Sequence, residues 1–394
     1  MIMVQNPKVV IVGGGFGGIK AALELAGNPA FEVTLISDEP NFRYYPALYR
    51  TAIGGKSRAA AIPLTEVFKG KGIRLVTDRI ERLDRTKKRV HGNSGHHYAY
   101  DVLILALGVI TNYYDIKGLA EHAFGIKTLE DAQALRDHLH RQLLKDHAPD
   151  LNYVVVGGGP TGVELAGELP AYLRHIMHRH GLPHRAVHVK LVEAEGRLTP
   201  RMPKSYSRVI ARRLRRLGVQ LLLNQAVKGE TADELRLSGR RLDSHTVVWT
   251  AGVTNHPFFK ANKFSLNDHG RVEVDQYLEA EPHIYVLGDN AATAYSGMAQ
   301  TALRDGVFVA ANLQAAAAGR RPRPYRPKKP VYVTPVGPGW AAVLWRHLEF
   351  YGRWGWLLRK AADFIAYHDY QPWWQASQLM IAAAEHEESC PLCR

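Results

Sequence analysis

The stretch Val9-Val10-Ile11-Val12-Gly13-Gly14-Gly15-Phe16-Gly17-Gly18 governs the reading of everything after it. Four β-formers run straight into Gly-x-Gly-x-x-Gly, and Ile19–Ala26 continues with helical character. A buried strand, a tight turn and a helix N-terminus place backbone N–H groups and a positive dipole end against a pyrophosphate. Gly13 permits the turn, Gly15 lets the backbone approach the phosphates, and Gly18 lets the helix pack close to the strand. The signature recurs as Tyr153-Val-Val-Val-Gly157-Gly158-Gly159-Pro160-Thr161-Gly162, 144 positions on. A repeat at that distance predicts an α/β protein with two Rossmann-like dinucleotide-binding units rather than a solenoid.

Each unit predicts an acid after its second strand to take ribose hydroxyls. In the first unit, Phe31–Ser37 reads as that strand and Asp38, 20 residues after Gly18, as the acid. A solvated loop acid, or Ser37 in its place, is the competing reading. In the second unit, Val187–Val192 ends at Glu193, an acid that favours NADH over NADPH, with Arg197 nearby. Ile73–Thr77 and Arg89–His91 read as strands of a meander, and Asp101–Ala106 as a buried strand. Thr128–Asp131 resembles a capping signal for a helix reaching Leu144. Thr246–Thr250 and His283–Asp289 read as further strands, the second ending in an acid. That acid either meets a sugar hydroxyl or caps the helix predicted over Ser296–Ala317. Asn41–Gly55, aromatic and basic, reads as a loop that walls a flat ring or covers a sheet.

Over 394 residues, 46% hydrophobic and 22% charged content is that of an ordinary globular protein. The formal charge of +14 suits an anionic membrane surface, nucleic acid or an anionic substrate. No secretory signal and no spanning helix are read in it. Both cysteines, Cys390 and Cys393, lie in the last five residues, so no disulfide framework is expected. Their spacing is that of a redox pair or half a metal site, against the plainer reading of two free thiols in a tail. The histidines His175, His178, His180, His184 and His188 lack a carboxylate or cysteine at ligand spacing, which predicts a solvated basic helix end and no metal. Arg212, Arg213, Arg215 and Arg216 read as an exposed helical face.

Residues 319–330 carry six cations among prolines and mark a boundary. Six of the seven tryptophans lie beyond it. There Leu344, Leu348, Tyr351, Leu358, Ala362 and Ile365 fall near one helical face, accompanied by arginines. That predicts an amphipathic helical segment lying on a membrane, or docked on its own domain or a second subunit.

Together with Trp249-Thr-Ala-Gly252 and Leu287-Gly288-Asp289, the two glycine-rich units resemble the two-dinucleotide-binding-domain flavoprotein reductases. More narrowly, Asn41-Phe-Arg-Tyr-Tyr-Pro46-Ala-Leu48-Tyr49, Gly159-Pro-Thr-Gly-Val-Glu164-Leu-Ala-Gly167-Glu168 and Ala299-Gln300-Thr-Ala302 resemble the type II NADH dehydrogenases. The resemblance implies a glutathione-reductase-like flavoprotein fold. An FAD domain is expected over 1–112 and 251–330, an NADH domain over 113–250, and a membrane-association or dimerisation segment over 331–394. FAD is expected at Gly13, Gly15, Gly18, Asp38 and Asp289, and NADH at Gly157, Gly159, Gly162, Glu164 and Glu193. Phe16, Gly17, Pro46, Gly108, Gly252, Gly288, Ala299 and Gln300 complete the candidate cofactor-binding set.

Glu164, by resemblance close to the nicotinamide, Gln300 and Arg304 form the candidate catalytic set. The resemblance implies hydride passing from NADH to flavin, then two electrons to a quinone without proton pumping. It also implies a homodimer, peripheral on the cytoplasmic face of the inner or plasma membrane. Where the family's quinone-site helix reads Ala-Gln-x-Ala-x-Gln, this chain has Arg304 for the second glutamine, a fixed cation near the acceptor site. Glutathione-reductase-type and sulfide:quinone reductases need cysteines near the flavin, and none stands there. Two alternatives remain: a soluble NADH-dependent reductase of a small redox protein, and an NADH-linked flavoprotein that binds a partner or nucleic acid. No nucleic-acid motif is recognisable, so none is expected as partner.

Overall fold

The computed structural model describes residues 6–144, 150–182, 186–383 and 385. Its main elements begin with β1 (Lys8–Val12), α1 (Phe16–Leu25), β2 (Glu32–Ser37), α2 (Tyr45–Ala52), β3 (Arg74–Thr77), β4 (Val102–Leu105) and β5 (Val109–Thr111). Next come α3 (Leu129–Leu144), β6 (Asn152–Val156), α4 (Pro160–Arg179), β7 (His188–Val192), α5 (Lys204–Arg216), β8 (Gln220–Leu222) and β9 (Thr246–Trp249). The chain returns through β10 (Val253–Asn255), β11 (Glu279–Glu281), β12 (Ile284–Val286) and α6 (Ala299–Ala317). Then follow β13 (Tyr332–Pro335), β14 (Ala341–Trp345), β15 (Leu348–Tyr351), α7 (Gly352–His368) and α8 (Trp373–Ala382).

The apolar runs of the sequence become the centres of two separate sheets, one parallel except for its antiparallel β11–β12 edge and the other parallel throughout. One has the order β11-β12-β4-β1-β2-β3, in which Val10 lies opposite Thr34 and Leu103. The other has the order β8-β7-β6-β9. Strands β1 and β6, at or near the middle of each, are buried almost throughout, as parallel strands covered on both faces must be. The antiparallel pair β5–β10 connects the two sheets, so the chain leaves the first unit and re-enters it at one place. Helices α1 and α6 lie so close that a Cβ on Gly306 would sit 2.6 Å from the Gly17 carbonyl oxygen. Thr128 and Asp131 cap α3 reciprocally: Asp131 N–H donates to Thr128 Oγ1 and Thr128 N–H to Asp131 Oδ2, each at 3.0 Å.

Four expectations need correction. Asn41–Gly55 is not a loop: Asn41–Arg43 is a strand and α2 follows, with Pro46 in its first turn and Ala47, Leu48, Tyr49 and Ala52 buried. Ile73–Thr77 does not join a meander; β3 is the parallel edge of the larger sheet, because its alternating side chains continue the β2 face. The helix after the first glycine turn starts at Phe16, so Gly17 and Gly18 lie in its first turn rather than before it.

The tail, read as one helical face from Leu344 to Ile365, is a three-stranded antiparallel sheet over β13–β15 followed by α7. Leu344 and Leu348 sit in facing strands, since β-branched and aromatic neighbours favour pairing over a helix there. Gly352, at φ +74°, makes the turn into α7.

The tail is fastened to the first unit. Tyr367 and Tyr370 join Phe16, Phe42 and Tyr44 in one aromatic cluster, with Tyr370 4.6 Å from Phe42 and Tyr367 4.4 Å from Tyr44 between ring centres. Tyr367 Oη donates to the Ala59 carbonyl, and Lys56 pairs with Glu385.

Candidate active site

A single cavity of about 1650 Å³ runs from the first glycine turn past Gly288 and Asp289 to α6 and the face of α7. At one end Gly13 holds φ +117°, and a Cβ there would lie 2.2 Å from the Ala106 carbonyl oxygen. Only glycine fits so close a crossing. Gly14, Gly15, Phe16 and Gly17 line the cavity, and the N–H groups of Gly14 and Gly15 meet no protein acceptor among the described residues. Unfilled donors at a helix N-terminus form an anion cradle of the kind a dinucleotide pyrophosphate occupies. These residues fit a flavin dinucleotide.

Beyond the cradle, Asp38 lines the cavity with Arg43, whose guanidinium also reaches Glu39 at 2.8 Å. Glu39 lies outside the lining, so Asp38 is the acid of this pair that faces the cavity. Asp289 does not cap α6, whose N-cap residue is Met298; it faces the cavity. Burial pushes its carboxyl up, opposed by Lys127 and then Arg271. Lys127 went unnoticed in the sequence. It lines the cavity with its Nζ 5.3 Å above the Tyr45 ring, and burial pushes its ammonium down.

Asn290, fully buried, was missed too. Its side chain accepts from Gly108 N–H at 2.8 Å and donates to Gly108 O and to Asn255 Oδ1, each at 2.6 Å. That network fixes the Gly108 turn, where the main chain leaves β4, against the Gly288 turn. Asp305, also fully buried, accepts from Gly288 N–H at 3.0 Å and from Tyr325 Oη. Burial pushes its carboxyl up to about 6.

The second glycine turn repeats the geometry, with Gly157 at φ +114°. Glu193 accepts from Gly158 N–H at 2.6 Å and Glu195 N–H at 2.8 Å, which holds the acid beside that turn. Arg197 is spent locally on the Met202 and Pro200 carbonyls and Ser207. Glu193, Gly157, Gly159 and Gly162 lie outside the large cavity, whereas Pro160, Thr161 and Glu164 from the first turns of α4 line it.

Glu164 sits where α4, α2 and α7 meet. Burial pushes its carboxyl up to about 7, against the pull of Arg359 and Arg50. Arg359 donates to Asp363 Oδ1 at 2.7 Å, and both are buried on the inner face of α7. Nothing in the period of the tail pointed to this pair, because a polar residue on a helix reads as its outer face.

On the far side, Pro46, Gly108, Gly252, Ala299, Gln300 and Arg304 all line the cavity. The Gln300 amide is engaged at both ends, donating to Val331 O at 2.9 Å and accepting from Val331 N–H at 3.1 Å. Arg304 donates to the Lys328 carbonyl at 2.8 Å. Among the described residues no group of three or more His, Cys, Asp or Glu could hold a metal ion. His184, Cys390 and Cys393 lie outside the described residues.

Two glycine-turn units, the first lining the cavity and the second reaching it through the first turns of α4, have the layout of a pyridine-nucleotide-linked flavoprotein reductase. The pyridine nucleotide-disulphide oxidoreductase family matches residues 7–306. The type II NADH:quinone oxidoreductase Ndh of Mycobacterium tuberculosis is 31% identical over 351 residues, 82% of this chain and 75% of that protein. The type II NADH:quinone oxidoreductase of Staphylococcus haemolyticus is 27% identical over 79% of this chain and 82% of that protein. In fold, the chain is similar to NDH2 from Plasmodium falciparum, solved in complex with NADH, with a TM-score of 0.86 at 16% identity over 96% of this chain and 98% of that one. The chain belongs to the pyridine nucleotide-disulphide oxidoreductases, and within them to the type II NADH:quinone oxidoreductases. It is a flavin-dependent NADH dehydrogenase.

Proposed function

We propose that this chain carries FAD in its first unit and NADH against its second, and passes two electrons to a membrane quinone without pumping protons. The FAD domain is assigned to 1–112 with 251–330 and the NADH domain to 113–250. The reaction is NADH + H⁺ + quinone → NAD⁺ + quinol, and the flavin, when bound, supplies the hydride acceptor and two-electron donor. The observation that carries this reading is the single cavity joining the Gly13–Gly18 turn, the start of α4 and the Gln300 face of α6.

The chain's own residues hold and orient. The Gly14 and Gly15 amides and the positive end of α1 take the diphosphate, Asp38 and Asp289 take sugar and ribityl hydroxyls, and Glu193 takes the NADH ribose. Glu164, with a carboxyl near 7, holds a proton at its Oε atoms between the nucleotide unit and α7, on the wall of the same cavity. Its protonated fraction falls as pH rises through about 7. Quinone reduction by the reduced enzyme therefore slows across that range, and E164Q removes this limb of the pH–rate profile. An unchanged profile in E164Q would withdraw Glu164 from the proton role.

α7 is buried along Gly355, Arg359, Asp363 and Tyr367, four residues apart, and turns Trp354 and Leu357 outward, with Leu358 and Ile365 exposed at the mouth of the cavity. Trp373, Trp374 and Ile381 of α8 are also exposed. No described helix is long and apolar enough to cross a membrane. An outward apolar face rich in Trp, on a chain of charge +14, suits peripheral attachment to an anionic bilayer on its cytoplasmic face. The homodimer implied by the resemblance belongs to the same proposal and is tested by sedimentation equilibrium.

The deciding experiment is NADH oxidation by the purified holoenzyme with a short-chain quinone, beside a small iron–sulfur protein. Quinone-dependent turnover supports the reading. Rapid flavin reduction with electrons reaching only the redox protein would replace it with the soluble-reductase alternative.

A further inference from the structure

The acceptor side of the cavity has a charge pattern that an ordinary quinone does not require. Gln300 and Arg304 stand one turn apart on α6, and both face the 320–331 strap. Gln300 has its amide tied to the Val331 backbone at both ends, with one N–H and one lone pair used, and it carries no charge. Arg304 spends one N–H on the Lys328 carbonyl and has no other protein acceptor among the described residues. Its guanidinium is therefore the charged group on that face of α6, with four of its five N–H donors free among the described residues.

Arg323, Arg326 and Lys328 of the strap line the same cavity. None of these four cations forms an ion pair among the described residues. Of the six carboxylates that line the cavity, Asp363 is engaged with Arg359, Asp38 with Arg43, and Asp78 with Ser94 and Tyr98, while Glu164, Asp289 and Asp369 form no ion pair with the four cations. Around this positive rim the walls are apolar, supplied by Val307, Val333, Val343 and Leu358.

We infer that the acceptor is an anionic quinone, with an acidic group beside its ring that Arg304 recognises. A guanidinium presents planar N–H pairs matched to a carboxylate or sulfonate, whereas a glutamine amide at the same place carries no charge. The apolar walls take the ring, and Arg323, Arg326 and Lys328 raise the local concentration of the anion. The acidic group is unchanged by the reaction: the quinone gains two electrons from the reduced flavin and two protons, and NADH supplies the reducing equivalents. This inference rests on the quinone reading above and narrows its substrate class.

The test uses the full-length holoenzyme with a matched pair, 1,4-naphthoquinone and its 2-sulfonate. Binding to the oxidised enzyme is measured by calorimetry and turnover by NADH oxidation, for the wild type, R304Q, R304K and R326Q. Comparing the sulfonate-to-neutral ratio between variants cancels the difference in potential between the two quinones. The expected result is a sulfonate preference about tenfold weaker in R304Q, read as a sulfonate-to-neutral ratio of Kd and of KM about tenfold higher than in wild type, in line with loss of a charge-assisted hydrogen bond. R304K retains part of the preference, R326Q loses less than R304Q, and added salt weakens the wild-type preference.

Equal ratios in wild type and R304Q overturn the inference. So does a preference abolished by phosphatidylglycerol vesicles and untouched by phosphatidylcholine vesicles, which would assign the cations to lipid headgroups. If neither quinone is reduced while NADH bleaches the flavin, the quinone function fails. The binding ratio then still decides whether this rim selects an anionic ligand.

Discussion

At the scale of single residues, two positions give opposite lessons about burial. Gly13 has no room for a Cβ against Ala106, and its φ of +117° is costly for any other residue. Gly13→Ala is expected to leave a folded protein that purifies without flavin, read as loss of the visible flavin band relative to protein absorbance. A colour equal to wild type would contradict the cradle assigned to this turn.

Glu230, on the strand Val227–Glu230 of the second unit, is 5% exposed, and its Oε2 has no hydrogen-bond partner. Burial pushes its carboxyl up to about 8. Because the folded-state value is raised, the protonated form is favoured on folding. The penalty is absent below the ordinary carboxylate range, grows as pH rises, and is full above about 8. Glu230→Gln should therefore leave acid stability unchanged and add roughly 1–3 kcal/mol in alkaline urea titrations. A gain of equal size at acid pH would mean that the carboxyl is not the cause.

At the scale of elements, α7 reverses the usual orientation of a surface helix. Its inner stripe holds an ion pair and a tyrosine, and its outer stripe holds Trp354 and Leu357. Asp363→Ala would leave Arg359 buried without its hydrogen-bonded partner. The expected cost is about 3–5 kcal/mol, measured as a lower urea midpoint. In the same variant Arg359 no longer shares its field with Asp363 and pulls harder on Glu164. The pH limb assigned to Glu164 should move to lower pH; a limb that stays in place would separate the two groups.

Tyr370 closes the turn between α7 and α8 on Phe16 and Phe42, so the tail and the first glycine turn share one aromatic cluster. Tyr370→Ala is expected to cost about 3–5 kcal/mol and to loosen flavin retention in dilution experiments. The role of Phe16 is thus double, as it lines the cavity and anchors the tail.

At the scale of the whole molecule, two sheets, one connecting strand pair and a C-terminal layer converge on one cavity. The exposed apolar face of α7 and α8 and the excess of positive charge imply binding to anionic vesicles. The paired change W354S and W373S should weaken that binding by about tenfold and leave NADH reduction of the flavin intact. High salt should weaken binding in the wild type. Vesicle cosedimentation that is unaffected by both would move the attachment surface elsewhere.

What the amino-acid order determined by itself is local and periodic. The two runs of β-formers ending in Gly-x-Gly-x-x-Gly, the reciprocal cap at Thr128–Asp131 and the acids at strand ends depend on neighbours a few residues away. Each therefore carries its own signature. What only the tertiary structure decided depends on groups far apart in the chain. The strand pairing of Leu344 and Leu348 defeated a helical reading, because a short apolar run fits both periods until a partner strand is present. Asn290 between Gly108 and Asn255, Lys127 over Tyr45, and Arg359 beside Glu164 are single polar residues with no local motif. Their surroundings arise only when distant segments meet and water is excluded. The same holds for Gln300, whose amide sequence pattern aims at an acceptor and whose folded partner is the backbone of Val331.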